Sequence, residues 1–209
     1  MAFSKEFKEA IINLPIAEKD KLLLRLLRKD EKLANRLYFE LVSDYSVEEE
    51  REAIREKLDK SIEEASDNYY SMGYLSMDVR TMSGIINRHV ATTKDKIGEI
   101  DLNIYLIIGV MKSNKSRILN SRSQKANRLL VAIVARIYKI LLLINKLHPD
   151  YRLEFHDQLH QLGEIVADNP KLMHTAIHSG LDVNWLLKND IPEDIEHIYK
   201  EVKAMGFLR

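Results

Sequence analysis

Cysteine is absent from the 209-residue chain, and glycine and proline are scarce, with seven and four copies. Without cysteine there is no disulfide, no thiolate nucleophile and no cysteine-ligated zinc site. The scarcity of the two residues that interrupt helices, together with many Leu, Lys and Glu, favours helices throughout. We therefore predict an all-α fold, an irregular multi-helix bundle of about ten helices, with a short α-solenoid of helical hairpins as the alternative.

Linkers rich in Pro, Gly or Ser are also missing, so residues 1–209 are predicted to form a single all-helical domain. The stretch 112–123, KSNKSRILNSRS, is the most loop-like part of the chain. If the chain is subdivided, we expect the boundary there.

Several helix boundaries can be predicted from capping residues. Ser46 and Glu49 have the spacing of a capping box and should begin a long amphipathic helix that ends near residue 70. Gly73 is predicted to follow the end of that helix. A further helix is expected over 150–168, and a short first helix over 4–14 with one apolar face.

No apolar run is long and uncharged enough for a membrane span. The most apolar stretch, 129–147, contains Arg136, Lys139 and Lys146, and each such charge costs about 2.5–3.5 kcal/mol at a bilayer centre. We therefore interpret this stretch as a buried helix and predict no membrane insertion. The opening residues MAFSKEFKEA lack the apolar segment of a secretory signal. Together with the lack of cysteine, this predicts a cytoplasmic protein.

Net charge is zero, with 32 basic and 32 acidic residues, but the charges are unevenly distributed. Residues 102–149 contain nine basic groups and no acidic group, whereas 44–101 and 150–209 carry net charges of −6 and −5. The remaining segment, 1–43, carries +2. The zero is therefore a cancellation and does not exclude an anionic partner.

Five basic residues of the acid-free segment fall on one stripe of the predicted long helix and form a basic seam: Lys125, Arg128, Arg136, Lys139 and Lys146. Three interpretations of the basic seam are open. It is a solvated helix edge, or the acidic segments on either side neutralise it, or it binds an anionic partner: nucleic acid, nucleotide phosphate or an acidic protein. For the last case, the predicted anion-binding residues are Lys112, Lys115, Arg117, Arg122, Lys125 and Arg128.

Two histidine pairs have the i, i+4 spacing that places both rings on one helix face: His156 with His160, and His174 with His178. A turn near residues 168–170 would fold the two helices into a hairpin and bring the pairs together. Zn²⁺ or a similar ion accepts such ligands. The alternative is that they are ordinary histidines at helix surfaces.

Polar and aromatic side chains concentrate around a predicted helix break, and they indicate either a binding pocket or a hydrogen-bonded helix junction. The residues concerned are Asn68, Tyr69, Tyr70, Tyr74, Asp78, Arg80, Asn87, Arg88 and His89.

The opening LPIAEKDKLLLRLLRKDEKLANRLYFEL, with the later YYSMGYLSMDVR, resembles a family of uncharacterised bacterial all-helical proteins, some of them labelled dUTP nucleotidohydrolase. That label implies Mg²⁺ held by ExxE and ExxD pairs on neighbouring helices. Here Glu49/Glu52 and Glu64/Asp67 have these spacings. Both pairs would lie on one helix.

These patterns predict a non-catalytic helical interaction module that engages an anionic partner through the basic 112–146 segment. The alternatives are a Mg²⁺-dependent nucleotide pyrophosphohydrolase that uses the four carboxylates, and a divalent-metal-binding protein that uses the four histidines. The sequence is also compatible with a homo-oligomer.

Overall fold

A computed structural model describes residues 3–208, with all of their side chains except those of Ser123 and Lys125, and confirms the all-α prediction. Ten of the helices have seven residues or more, and this part of the chain contains no strand. In chain order the helices are α1 (Lys5–Ile12), α2 (Ile16–Leu27), α3 (Glu31–Leu41), α4 (Val47–Asp67), α5 (Met72–Thr93), α6 (Lys96–Ser113), α7 (Lys115–Asn120), α8 (Ser123–Asn145), α9 (Pro149–Arg152), α10 (His156–Ala167), α11 (Pro170–His178), α12 (Asn184–Leu187) and α13 (Ile195–Ala204).

Helix α6 lies at the centre of the bundle, because it packs against α4, α5, α8 and α10. Its buried residues follow one another almost without interruption from Ile100 to Ile104, so it is enclosed on most sides. One continuous core of buried side chains extends from Ile54 in α4 to Val202 in α13. This core includes residues on both sides of the segment 112–123.

The predicted start of α4 is confirmed in detail. The Ser46 hydroxyl accepts a hydrogen bond from the Glu49 amide at 3.1 Å, and the Glu49 carboxylate accepts one from the Ser46 amide at 2.8 Å. These two bonds satisfy donors that an uncapped helix would leave without partners. They also lower the pKa of Glu49.

The segment 112–123 is largely helical, so its prediction as a loop is wrong. Helix α6 continues to Ser113, the short α7 follows, and α8 begins at Ser123. Burial explains the difference: Ile118 is fully enclosed in the core, and Asn114 is also buried and donates to the Val110 carbonyl. The buried Ile118 and Asn114 thus hold this polar segment against the bundle.

Gly73 lies in the first turn of α5, and its prediction as the residue that ends α4 is wrong. The hydroxyl of Ser71 caps α5 by accepting from the Tyr74 amide. Met72 and Leu75 are both buried, so the core holds this first turn in place.

The helix predicted over 150–168 is interrupted. Helix α9 is followed by a 3₁₀ turn, Leu153–Phe155, before α10 begins. The guanidinium of Arg152 donates back to the carbonyls of Leu147 and Asn145, at 3.0 and 2.6 Å. These bonds satisfy the end of α8 and set the bend.

Residues 3–45, which contain α1, α2 and α3, form an N-terminal arm with no buried residue in any of its three helices. Helix α3 lies along α5, and α2 contacts α3. The arm therefore joins the bundle at one end only.

Helix α8, which contains most of the apolar stretch 129–147, packs against α5, α6, α11 and α13. Within residues 3–208, no helix combines the length and apolarity that crossing a membrane requires. The side chain of Tyr138 in α8 is fully buried. Its hydroxyl donates to the Ser179 carbonyl at 3.0 Å, and its ring lies edge-on to the ring of Trp185, with ring centres 6.5 Å apart. Burial raises the pKa of Tyr138 to about 12.

Removal of the buried hydroxyl in Tyr138→Phe is expected to lower the free energy of unfolding by about 1–2 kcal/mol, because the buried Ser179 carbonyl loses its donor. Urea denaturation measures the change. The matched control is Tyr151→Phe, since Tyr151 is exposed. Equal stability of the two variants would contradict the prediction.

Candidate functional site

The C-terminal half of the basic seam has hydrogen-bond or ion-pair partners inside the molecule. Nη1 of Arg136 donates to Oδ1 of Asn103 at 2.7 Å, and Nζ of Lys139 lies 2.6 Å from the Glu99 carboxylate. Lys146 forms an ion pair of 3.0 Å with an acidic side chain of α13. Burial lowers the pKa of Arg136. The seam is therefore not open along the whole of α8.

Two of the six predicted anion-binding residues also have partners. The guanidinium of Arg117 donates to Oγ of Ser66 at 3.1 Å and lies 4.8 Å from the centre of the Tyr69 ring. Lys115 is engaged more weakly, because its Nζ lies 3.8 Å from Asp168 and both side chains are largely exposed. Arg117 is thus committed to the packing of α4 against α7.

The other four predicted residues differ from one another. Lys112 is exposed and lines a groove between α4 and α6 whose other charged residues are acidic. Arg122 and Arg128 are exposed at the start of α8, and neither forms an ion pair with any side chain that the structure describes. The side chain of Lys125 lies outside the described residues. Arg122 and Arg128 therefore remain available to a ligand.

A groove without carboxylates lies between α8 and α11. It consists of two adjoining cavities of about 500 and 390 Å³, which share Asn127, His174 and Thr175. The full lining is Gln124, Asn127, Leu130, Val131, Pro170, Lys171, His174, Thr175, His178, Ser179, Gly206 and Phe207. Asp or Glu lines both the groove between α4 and α5 and the groove between α4 and α6. The α8/α11 groove thus offers the amides of Gln124 and Asn127 and the imidazoles of His174 and His178 with no opposing negative charge. The Thr175 hydroxyl, by contrast, already donates to a backbone carbonyl.

Capping interactions fix one wall of this groove. Oδ1 of Asn169 accepts from the amides of Lys171 and Leu172, at 3.2 and 3.1 Å, and so begins α11. The ammonium of Lys171 donates to the carbonyls of Ile118 and Ser121 at the end of α7. Helices α7 and α11 are therefore joined by side-chain contacts, and the wall is held in position.

The second histidine pair lies in this groove. The His174 and His178 rings stack with centres 6.3 Å apart and planes 18° apart, and Phe207 meets His178 edge-on at 5.1 Å. The pair thus contributes ring surface to the groove.

The first histidine pair lies elsewhere on α10, where Nδ1 of His160 donates to the Leu187 carbonyl at 2.9 Å. Between residues 3 and 208 there is no group of three or more His, Asp or Glu side chains suited to holding a metal ion. The expected convergence of His156, His160, His174 and His178 is therefore not found in that part of the chain.

The four carboxylates of the hydrolase alternative are distributed along α4. Glu49 caps the helix and Glu52 lies 3.4 Å from an arginine on the same helix. Glu64 lines the groove between α4 and α5, whereas Asp67 lines the groove between α4 and α6. Glu49 and Glu64 are about 22 Å apart at 1.5 Å per residue. The structure does not bring these residues together.

The polar and aromatic cluster of residues 68–94 borders a second groove, between α4 and α5, with cavities of about 560 and 270 Å³ that share Ser61 and Glu64. Burial raises the pKa of Asp78 in its lining. Five members of the predicted cluster line this groove: Asn68, Tyr74, Asp78, Arg88 and His89. Its mixture of acidic and basic side chains contrasts with the α8/α11 groove.

A buried charge network that the sequence analysis missed closes one end of the α4/α5 groove. Nε and Nη2 of Arg51 donate to the two oxygens of Asp95 at 2.7 and 2.8 Å. The Gly98 amide donates to Oδ1 at 2.7 Å, and Nε2 of His89 lies 3.2 Å from Oδ2. Because 44 residues separate Arg51 from Asp95, local spacing carries no signal of this pair.

Burial alone would raise the pKa of Asp95, but the hydrogen bonds from His89, Arg51 and the Gly98 amide outweigh it and hold the pKa well below its usual value. Asp95 is therefore ionised, and Nε2 of His89 donates to it. The His89 side chain is almost fully buried. This network accordingly joins α4, α5 and α6.

Comparison with protein-family models, with curated proteins and with solved structures finds no match to this chain. Inference about function therefore rests on the charges, grooves and contacts of the chain itself.

Proposed function

We propose that this protein is a non-catalytic helical interaction module of the bacterial cytoplasm that binds an anionic partner in the α8/α11 groove. The observation that carries the proposal is a groove of hydrogen-bond donors without a carboxylate. Two exposed arginines, Arg122 and Arg128, lie close in sequence to the groove residues Gln124 and Asn127 and form no ion pair with a described side chain. In a chain of zero net charge, such a surface attracts anions to one place. The cysteine-free composition is in keeping with a reducing compartment.

The start of α8 adds to this attraction. Arg122 is its N-cap residue and makes no side-chain capping bond, so the N-cap offers no acceptor to the first backbone amides of the helix. Helix α8 has 23 residues, and the positive end of its dipole lies at these amides. An anion near residues 122–126 would therefore be stabilised by the backbone as well as by the arginines.

Phosphate is the anion that best suits this set of donors. Arginine presents a planar fork to phosphate oxygens, and amide and hydroxyl side chains complete such sites. His174, His178 and Phe207 supply ring surfaces that the basic segment itself lacks, and bases of single strands stack on such rings. Nucleic acid or nucleotide is therefore favoured over an acidic protein as the partner.

The proposed binding surface is smaller than the set of residues predicted from sequence. Arg122 and Arg128 remain in it, and Asn127 and Gln124 join them from the groove lining. Arg117 leaves it, because its guanidinium is already bound between α4 and α7. The positive charges proposed to bind the anion are thus those at the start of α8.

Removal of both free charges, in the double variant Arg122→Gln with Arg128→Gln, is expected to weaken binding of a fluorescein-labelled 20-nucleotide single-stranded RNA by about tenfold or more. Each phosphate contact contributes about 0.7 to the slope of log affinity against log salt for single strands, so the slope should fall by about 1.4. Fluorescence anisotropy between 50 and 200 mM salt measures both quantities.

The matched control is Arg80→Gln, which removes an exposed arginine of α5 that forms no ion pair with a described side chain. It should bind RNA as tightly as the unaltered chain. Binding that does not weaken with salt, or that all three proteins share equally, would count against the proposed surface. A preference for labelled poly-glutamate over RNA would reassign the partner to an acidic protein.

A further inference from the structure

The N-terminal arm leaves its apolar side chains in solvent. Thirteen exposed large apolar residues of the described part of the chain belong to residues 3–45, and Ile16 and Leu41 are 77% and 78% exposed. Contiguous exposed apolar patches larger than a few hundred Å² are uncommon on monomers and mark interaction surfaces. The arm is therefore the most apolar outer part of this molecule.

The arm helices are too short to be stable without packing. Helices α1 and α2 have 8 and 12 residues, whereas isolated helices shorter than about 12–15 residues are marginal in water. Inside one molecule, only α3 has an extensive contact with the bundle. Packing against a second molecule would supply the contacts that stabilise these short helices.

Their apolar residues are arranged for helix packing. Phe7 and Ile11 lie on one face of α1, and the ring of Phe3 lies 5.3 Å from that of Phe7. Leu23 and Leu26 of α2 share one side of their helix. Such stripes are what facing helices cover in bundles.

The charges of the arm favour a protein surface over a lipid surface. Residues 3–45 contain nine basic and eight acidic side chains. Helices that lie on membranes carry a basic polar face, which attracts anionic lipids. A nearly neutral surface has no such attraction, and it can meet an identical surface without repulsion.

The exposed area of the arm is sufficient for a stable interface. The thirteen apolar residues are between 37% and 78% exposed, which amounts to on the order of 1,000 Å² of surface. One partner of a standard interface contributes about 800 Å². A homodimer formed by the arm alone therefore requires that most of these side chains meet the second copy.

We propose that the apolar face of the N-terminal arm binds a second copy of this chain, so that two arms pack against each other about a two-fold axis and form a homodimer. The proposal is independent of the anionic partner, because the α8/α11 groove involves no residue of the arm.

Sedimentation equilibrium of the full chain tests the proposal. The unaltered chain should be dimeric at micromolar concentration. The double variant Leu23→Asp with Leu26→Asp should raise the dimer dissociation constant by on the order of a hundredfold or more, because two apolar side chains become charged at the interface. Both leucines are about half exposed, so the bundle itself should unfold at the same temperature in the variant.

The matched control is Ile177→Asp, which places the same charge on α11 at a residue that is 65% exposed. It should remain dimeric. A chain that is monomeric at all concentrations, or a dimer that the arm variant leaves intact, overturns the proposal. Co-sedimentation of a monomeric chain with phosphatidylglycerol vesicles would also overturn it and assign the arm to a lipid surface.

Discussion

Asp95→Asn is expected to lower the free energy of unfolding by about 3 kcal/mol at neutral pH. The substitution keeps the volume and the capping oxygen of the buried Asp95 but removes the negative charge that faces the partly buried Arg51. Removal of one partner from a buried ion pair typically costs about 3–5 kcal/mol, because the other charge is left uncompensated. Urea denaturation followed by circular dichroism measures the loss.

The effect should depend on pH in a defined direction. The pKa of Asp95 in the folded protein lies below the pKa of Asp in the unfolded chain, which is about 4. The stabilisation by ionised Asp95 is therefore complete above about pH 4, and it is lost as the pH falls toward the folded-state pKa. The difference in the free energy of unfolding between the unaltered chain and Asp95→Asn should therefore become smaller at acidic pH. Glu52→Gln is the control, because the Glu52 side chain is largely exposed in its pair with Arg55, and this pair should contribute at most about 1 kcal/mol. Equal losses in both variants would contradict a special role for Asp95.

Gly98→Ala is expected to be nearly as harmful, with a loss of about 2–3 kcal/mol. A Cβ atom at Gly98 would overlap the Asp95 carboxylate and lie only 2.6 Å from Nε of Arg51. The two groups would have to separate, so the same network would be broken by steric means. Thermal or urea unfolding of the variant measures this loss.

Gly73→Ala and Gly84→Ala provide matched controls. Both residues lie in α5, and the nearest atoms to an added Cβ are 3.7 and 3.6 Å away, at ordinary contact distance. Alanine is favoured over glycine in helices by about 1 kcal/mol, so these variants should be unchanged or slightly more stable. Replacement of glycine by alanine should thus lower the free energy of unfolding at position 98, but leave it unchanged or raise it slightly at positions 73 and 84. A stable Gly98→Ala protein would show that the network tolerates displacement.

The helices with strong local signals could be predicted from sequence. The capping box at Ser46 and the apolar spacing behind it define α4, and the dense apolar composition of α8 predicts its burial. In both cases the determining interactions lie within one helical turn or along one face, and such interactions are present in the sequence itself.

Contacts between helices could not be predicted in the same way. Helical periodicity shows that Arg136 and Lys139 share a stripe, but it does not identify Asn103 and Glu99 as the groups facing them. For the same reason the stripe alone predicts one continuous surface, although Arg136, Lys139 and Lys146 have partners in the structure. The α8/α11 groove likewise depends on how α11 lies against α8, which no local pattern specifies.

The N-terminal arm shows the converse case. Its helices have the periodicity of core helices, and sequence alone predicts apolar faces that ought to be covered. Within the described part of one chain, α3 contacts α5, but thirteen large apolar side chains of the arm stay exposed. Periodicity therefore indicates that a face requires a partner, but it does not say whether that partner is the same molecule or another.

The edge-on contact between Trp185 and Tyr138 also determines what an optical measurement can report. Trp185 is the single tryptophan, and it packs against the core near α8 and α12. Its emission therefore follows the state of that part of the bundle and is insensitive to the arm. Far-UV circular dichroism, by contrast, sums over all helices, including the three of the arm. The chain thus contains a natural pair of probes, one local and one global, for distinguishing loss of the arm from loss of the bundle.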